Sequence, residues 1–140
     1  MNTRNLLKLN RKRKWTKRFR VVGIYRYIHG SRYYAVNMLN RKTKTVKIWK
    51  FSVQCKNIIK DIASIHGDPT KYDLVIESRG DGCIYIGASL KCRKLTKKEN
   101  QLKIHNLQKF FKEEEERNIK RDKLQISNVQ KKLDKHLTNS

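Results

Sequence analysis

The chain has 140 residues, a mass of 16.8 kDa, a net charge of +23 and a pI near 10.3, which fits one modest core with extensions and leaves no room for several domains. Apolar residues make up 37% and never run on for more than a few positions, so no transmembrane span is expected, and the excess charge points to nucleic acid ahead of an anionic membrane. The excess is also local. The first acid is Asp61, so eighteen Lys and Arg precede any carboxylate, while the remaining seventeen share residues 61–140 with all twelve acids. Like charge packed this densely is repulsive unless a polyanion neutralises it.

Residues 1–20 read as a basic arm carrying Arg4, Lys8, Arg11, Lys12, Arg13, Lys14, Lys17, Arg18 and Arg20, interleaved with Leu6, Leu7, Leu9, Trp15 and Phe19. Phosphates would take the charge, and Trp15 would either stack on a base or pack on the domain. Such an arm rarely holds still alone, so a partner is expected to order it. Its basic, acid-free composition is also that of an organellar targeting segment, although it runs into strand-like sequence without a small-residue break.

From Val21 the texture turns β-branched and aromatic. Residues 21–28 read as a strand, His29-Gly30-Ser31 as a turn and 32–39 as the hairpin partner; a second turn at 40–42 leads to a third strand over 43–53. Arg26, Arg32, Arg41, Lys42 and Lys44 project from this meander as further RNA contacts, with Tyr25, Tyr27, Tyr33 and Tyr34 as packing or stacking surface. Cys55, Ile58, Ile59, Ile62 and Ile65 then form one apolar stripe of a helix expected to pack on the sheet. Gly67-Asp68-Pro69 ends it, and 72–77 is a short buried-type strand. Residues 78–82 form a loop whose Arg-Gly-Asp tripeptide reads as chance. Residues 83–90 are open between a strand pairing with 72–77 and a loop feeding a helix. Beyond Thr96 the chain is a charged helical extension, with Ile126, Val129, Leu133 and Leu137 at helical spacing and Glu113–Arg117 and Glu116–Lys120 placed for i,i+4 pairs.

The expected fold class is α+β: a three-stranded antiparallel meander, a helix, a further strand and a helical C-terminal extension, divided as arm 1–20, core 21–96 and extension 97–140. No enzyme is expected. The tetrad Glu113–Glu116 points around a helix and cannot converge on an ion, and no phosphate-binding loop, nucleophile elbow or metalloprotease motif occurs. Three cysteines without a close pair, and four scattered histidines, suggest free thiols in a reducing compartment, with neither metal nor cofactor nor small-molecule substrate.

Arg18-Phe19-Arg20-Val21-Val22, Gly30-Ser31-Arg32, Tyr34-Ala35-Val36 and Val75-Ile76-Glu77-Ser78-Arg79, followed by 82–88, together resemble the 5S-rRNA-binding ribosomal protein eighteen of bacterial-type and organellar large subunits. The resemblance covers about residues 10–95. Ile86 and Ala88 stand where that family has histidine and arginine, and the tail from about Lys97 is extra, as in mitochondrial ribosomal proteins. The small-subunit ribosomal protein eleven is similar in element order. The resemblance implies a structural constituent of a mitochondrial ribosome, in the matrix, bound to large-subunit rRNA and neighbouring ribosomal proteins; a cytoplasmic ribosome is the alternative. Two other readings stay open. Three strands and a helix also look like an AP2-type DNA-binding domain, and a strand at 83–90 would make an OB-like barrel that binds single strands or acts as a translation factor.

Overall fold

The computed structural model describes residues 5–23, 28–29 and 33–138. Within them the fold is α+β. Arg4, Tyr25, Arg26, Tyr27 and Arg32, each named above as a candidate contact or stacking group, lie outside the described residues. The chain divides into two units, the first running to Leu107 and the second starting at Gln108. The helical extension expected from 97 is therefore divided: its first eleven residues belong to the β unit.

The β unit contains β1 (Lys14–Val22), β2 (Ile28–His29), β3 (Tyr34–Asn40), β4 (Thr45–Phe51), helix α1 (Val53–His66), β5 (Asp73–Arg79), β6 (Ile84–Ser89) and the short helix α2 (Lys97–Asn100). All strand pairings are antiparallel. β4 runs along one side of β3, from Tyr34–Phe51 to Asn40–Thr45, while β2 and the end of β1 take successive stretches of its other side. β1 then changes partner: residues 20–22 pair with β3, and residues 14–19 pair with β5 from Lys14–Arg79 to Phe19–Leu74. β6 closes the row on β5. The open question over 83–90 is settled in favour of a strand.

The strand expected over 21–28 is divided: β1 begins seven residues earlier, where Lys14, Lys17 and Arg18 hide the strand signal in what reads as a charge run, and ends at Val22, while Ile28–His29 form β2. The expected loose arm is thus shorter, and its backbone is tied down by its own side chains. Asn10 accepts from the Lys12 N–H through Oδ1 (3.0 Å) and from Trp15 Nε1 through its carbonyl (2.6 Å). Residues 6–7 add to the β4 edge through a Leu6–Ile48 bridge, with Leu7 N donating to the Ile48 carbonyl at 2.8 Å.

Strand alternation explains the core. Phe19, Val21, Val36, Met38, Trp49, Phe51, Leu74 and Ile76 share the inward face and meet Cys55 and Ile59 of α1, with Ile84, Ile86 and Ala88 of β6 packed against them. The helical stripe is narrower than expected: Ile58 and Ile65 stay exposed. α1 ends at Gly67, whose φ of +85° suits a residue without Cβ and whose N–H reaches the Ala63 carbonyl at 2.8 Å.

The outward face of the meander is covered as well. Ala35, Asn37, Leu39 and Ile48 are buried there, and residues 92–107 arch back as a strap that meets this side of the sheet at Asn37, Arg41 and Val46. Asn37 binds His105 in both directions, Nδ2 donating to its carbonyl (3.0 Å) and Oδ1 accepting its N–H (2.9 Å), and His105 Nε2 meets the Val46 carbonyl at 2.9 Å. A buried polar side chain satisfied in this way fixes the register of the strap. Helix α3 (Leu107–Thr138) is 32 residues long, and all but its first residue belong to the second unit.

Candidate nucleic-acid interface

Where β1 leaves β3 for β5, the sheet opens. One wall of the gap is the first half of β1, and the other is the β3–β4 turn at residues 40–45. Asn40 builds that turn by accepting the Lys42 and Thr43 N–H groups on Oδ1 (3.0 and 3.4 Å), and Lys44 N returns to the Asn40 carbonyl at 2.8 Å. The turn closes with Lys44 in the left-handed region, φ +58°, a conformation that non-glycine residues rarely hold without a reason.

That reason is Glu99. It sits in a capping box with Thr96 at the start of α2, and its buried carboxylate takes both Arg41 (Nε–Oε2 2.9 Å, Nη2–Oε1 3.0 Å) and Lys44 Nζ (3.0 Å). Arg41 also donates to the Arg93 and Lys94 carbonyls at 2.7 and 3.1 Å. The forked hydrogen bond from Arg41, assisted by the Thr96 N–H and by Lys44, holds the Glu99 carboxyl far below the usual carboxylate range. The same contact raises Arg41. This clasp pins the strap to the β3–β4 turn.

The gap has two faces. On the outward side lies a cleft of about 840 Å³ lined by Thr16, Lys17, Arg18, Asn40, Arg41, Lys42, Thr43, Lys44, Asp73, Lys91, Cys92 and Arg93. On the inward side lies a pocket of about 410 Å³ lined by Leu6, Leu7, Lys8, Lys17, Phe19, Met38, Asn40, Thr43, Thr45 and Lys47. Asp73 is the one carboxylate in either lining, and it is spent on Arg20 in a buried pair at 2.8 Å. The gap is therefore a cationic saddle whose single acid is already neutralised.

The residues named from the sequence as RNA contacts take different places. Lys8, Lys17, Arg18 and Lys42 are exposed around the gap. Arg11, Lys12, Arg13 and Lys14 expose their side chains beside the β5–β6 turn, where the Arg11 carbonyl accepts from Gly82 N (3.2 Å) and the Arg13 carbonyl from Ser78 Oγ (2.7 Å). Of that set Arg20 is a correction. Arg20 is 3% exposed and bonded to Asp73 and to the Thr70 and Arg93 carbonyls, while Arg41 and Lys44 serve Glu99. Trp15 is packed against the core, with Lys17 Nζ 5.3 Å from its ring centre; of the two roles open to it, packing is the one it fills here.

Sequence reading missed Lys47, Lys91 and Arg93. A signal existed for Lys47, which falls on the inward parity of its strand between Thr45 and Trp49. Lys91 and Arg93 belong to a basic cluster, 91–94, hidden beyond a segment of undecided structure. The Arg-Gly-Asp loop binds internally: Asp81 accepts from the Tyr85 hydroxyl (2.8 Å) and the Cys83 N–H (3.1 Å), which lowers its pKa, and Arg79 pairs with Glu77 at 3.0 Å over the Tyr85 ring. Among the described residues no group of three metal-ligating side chains occurs, and no helix is long and apolar enough to cross a membrane.

No protein-family model matches this chain, and neither does any curated protein or solved structure.

Proposed function

We propose that the protein is an RNA-binding, structural component of a ribonucleoprotein that grips its strand through phosphates along the saddle between β1 and the β3–β4 turn. The observation that carries this reading is the charge arrangement: cations gather on both sides of one opening whose single acid is consumed by Arg20. Phosphate contacts of this kind position a strand and are largely blind to its sequence. An OB-like, partly open barrel is the architecture that the strand order supports, with a three-strand meander, a helix and a hairpin, and a first strand shared between both halves.

In such a barrel the second and third strands, here β3 and β4, would offer their outer face to a single strand. The strap covers that face, which moves the proposed contact to the neighbouring gap. The same covering removes the surface that an AP2-type sheet needs to enter a major groove. A ribosome, in a mitochondrion, is the particle we propose from the sequence resemblance. That resemblance rests on the residues quoted above between 18 and 36 and between 75 and 88.

Crosslinking in cells followed by sequencing of the bound nucleic acid tests the reading. Large-subunit rRNA on large-particle fractions is the expected result, small-subunit rRNA would favour the sibling family, and discrete duplex DNA sites without rRNA would sink it. With purified protein, replacing Lys17, Arg18, Lys42 and Lys91 by alanine should lower the slope of log K against log salt by about three, at ~0.7–0.9 per phosphate contact. An unchanged slope would place the strand away from the saddle.

A further inference from the structure

The two faces of the gap differ in chemistry, and the difference assigns them different parts of a strand. The outer cleft is lined by charged and polar side chains apart from Cys92, suited to a passing backbone. The inner pocket is amphipathic: Phe19 and Met38, each 1% exposed, form its floor and Leu6 and Leu7 its wall, while Lys8, Lys17 and Lys47 stand at the rim.

Strand parity makes these lysines unusual. Along β1 the inward positions read Trp15, Lys17, Phe19, Val21, and along β4 Thr45, Lys47, Trp49, Phe51. Both strands place an ammonium on the face that otherwise builds the core. An inward charge on an edge strand guards against strand addition, which would account for Lys47 on β4. Lys17 stands in a like place, because residues 14–19 of β1 pair with β5 alone and leave their other edge open to the gap. Among the described residues no carboxylate pairs with Lys8, Lys17 or Lys47. Asn40 spends Oδ1 on the turn, which leaves its amide N–H groups as donors at the same rim, and Thr43 and Thr45 share one hydroxyl hydrogen bond of 2.7 Å.

A rim of donors above an apolar floor suits a ligand with a phosphate at one end and a flat, largely apolar body at the other, and a pocket of about 410 Å³ lies within the usual range for small-molecule sites. We infer that this pocket takes a single nucleotide of the bound strand, with its phosphate among Lys8, Lys17 and Lys47 and its nucleoside against Leu6 and Leu7. The inference rests on the RNA-binding reading and adds to it a pocket for one nucleotide, where the charge alone gives only a phosphate track.

The test is an NMR titration of the full chain with uridine 5′-monophosphate, and separately with uridine and with inorganic phosphate. The monophosphate should bind at least tenfold more tightly than either part and shift residues 6–8, 17–19 and 38–47. K8Q/K17Q/K47Q should lose that binding at least tenfold while melting at the wild-type temperature, and K42Q/K91Q/R93Q should retain it. Phosphate binding as well as the nucleotide, or unchanged binding by K8Q/K17Q/K47Q, overturns the pocket. Wild-type protein that binds single-stranded RNA but shows no preference for the nucleotide also overturns the pocket and leaves the RNA-binding reading standing. Failure to bind RNA at all sinks both.

Discussion

In the β unit, five consecutive residues of β3, Ala35–Leu39, are buried, so this strand is covered on both faces. Along α3 from Ile119 to Leu133 the opposite holds: Ile119, Leu124, Ile126, Val129 and Leu133 are all exposed. The first unit is held by burial. The second is helical because most of its residues are good helix formers and because Glu113 and Glu116 stand four positions before Arg117 and Lys120. At 1.5 Å per residue it spans about 48 Å. An apolar side chain therefore means something different in each unit, and substitution should expose the difference.

The largest effect is expected at Phe19, 1% exposed on the inward face of β1. Phe19→Ala should cost about 3–5 kcal/mol in urea unfolding of the β-unit transition. A cost under ~1 kcal/mol would mean that the inward face is not the core of the unit.

Next comes the clasp on the strap. Glu99→Gln leaves Arg41 and Lys44 without their carboxylate, and because the Arg41 and Lys44 side chains are 20% and 55% exposed the loss should be about 2 kcal/mol, below that of a fully buried pair. The pH dependence has a definite sign. The folded-state pKa of Glu99 is depressed, so its stabilisation is complete above the unfolded carboxylate value and fades as pH falls from there through the folded value. Unfolding at pH 7 and at pH 3 should show a difference in the wild type that E99Q reduces. An identical acid loss in both proteins would remove Glu99 from the account of what holds the strap.

The smallest effect is expected in α3, where Ile126→Ala should change stability by no more than ~0.5 kcal/mol. The same substitution costing as much as Phe19→Ala would erase the contrast between the units.

β3, β4, α1 and β5 were legible because alternation and the 3.6-residue period are local properties. The start of β1 was not, since Lys14, Lys17 and Arg18 occupy a strand whose outer side chains face solvent and whose pairing partner, β5, lies some sixty residues away. β6 was ambiguous for a related reason: its inward residues are Ile84, Ile86 and Ala88, and the last has little strand preference. The candidate site was half visible. Charge density marked the region, but nothing in a run of cations separates Lys17, which rims a pocket, from Arg20, which is buried on Asp73 three residues later.

The sequence by itself determined that the chain is α+β, that its excess charge lies before Asp61 and that its tail is a helix, because composition and periodicity act on neighbouring residues. Tertiary structure alone decided which cations are spent on Asp73 and Glu99, that residues 92–107 close the outer face, and that β1 parts from β3 to open a basic gap. Those outcomes depend on which distant side chains meet, and a buried ion pair or a strand junction has no local signature.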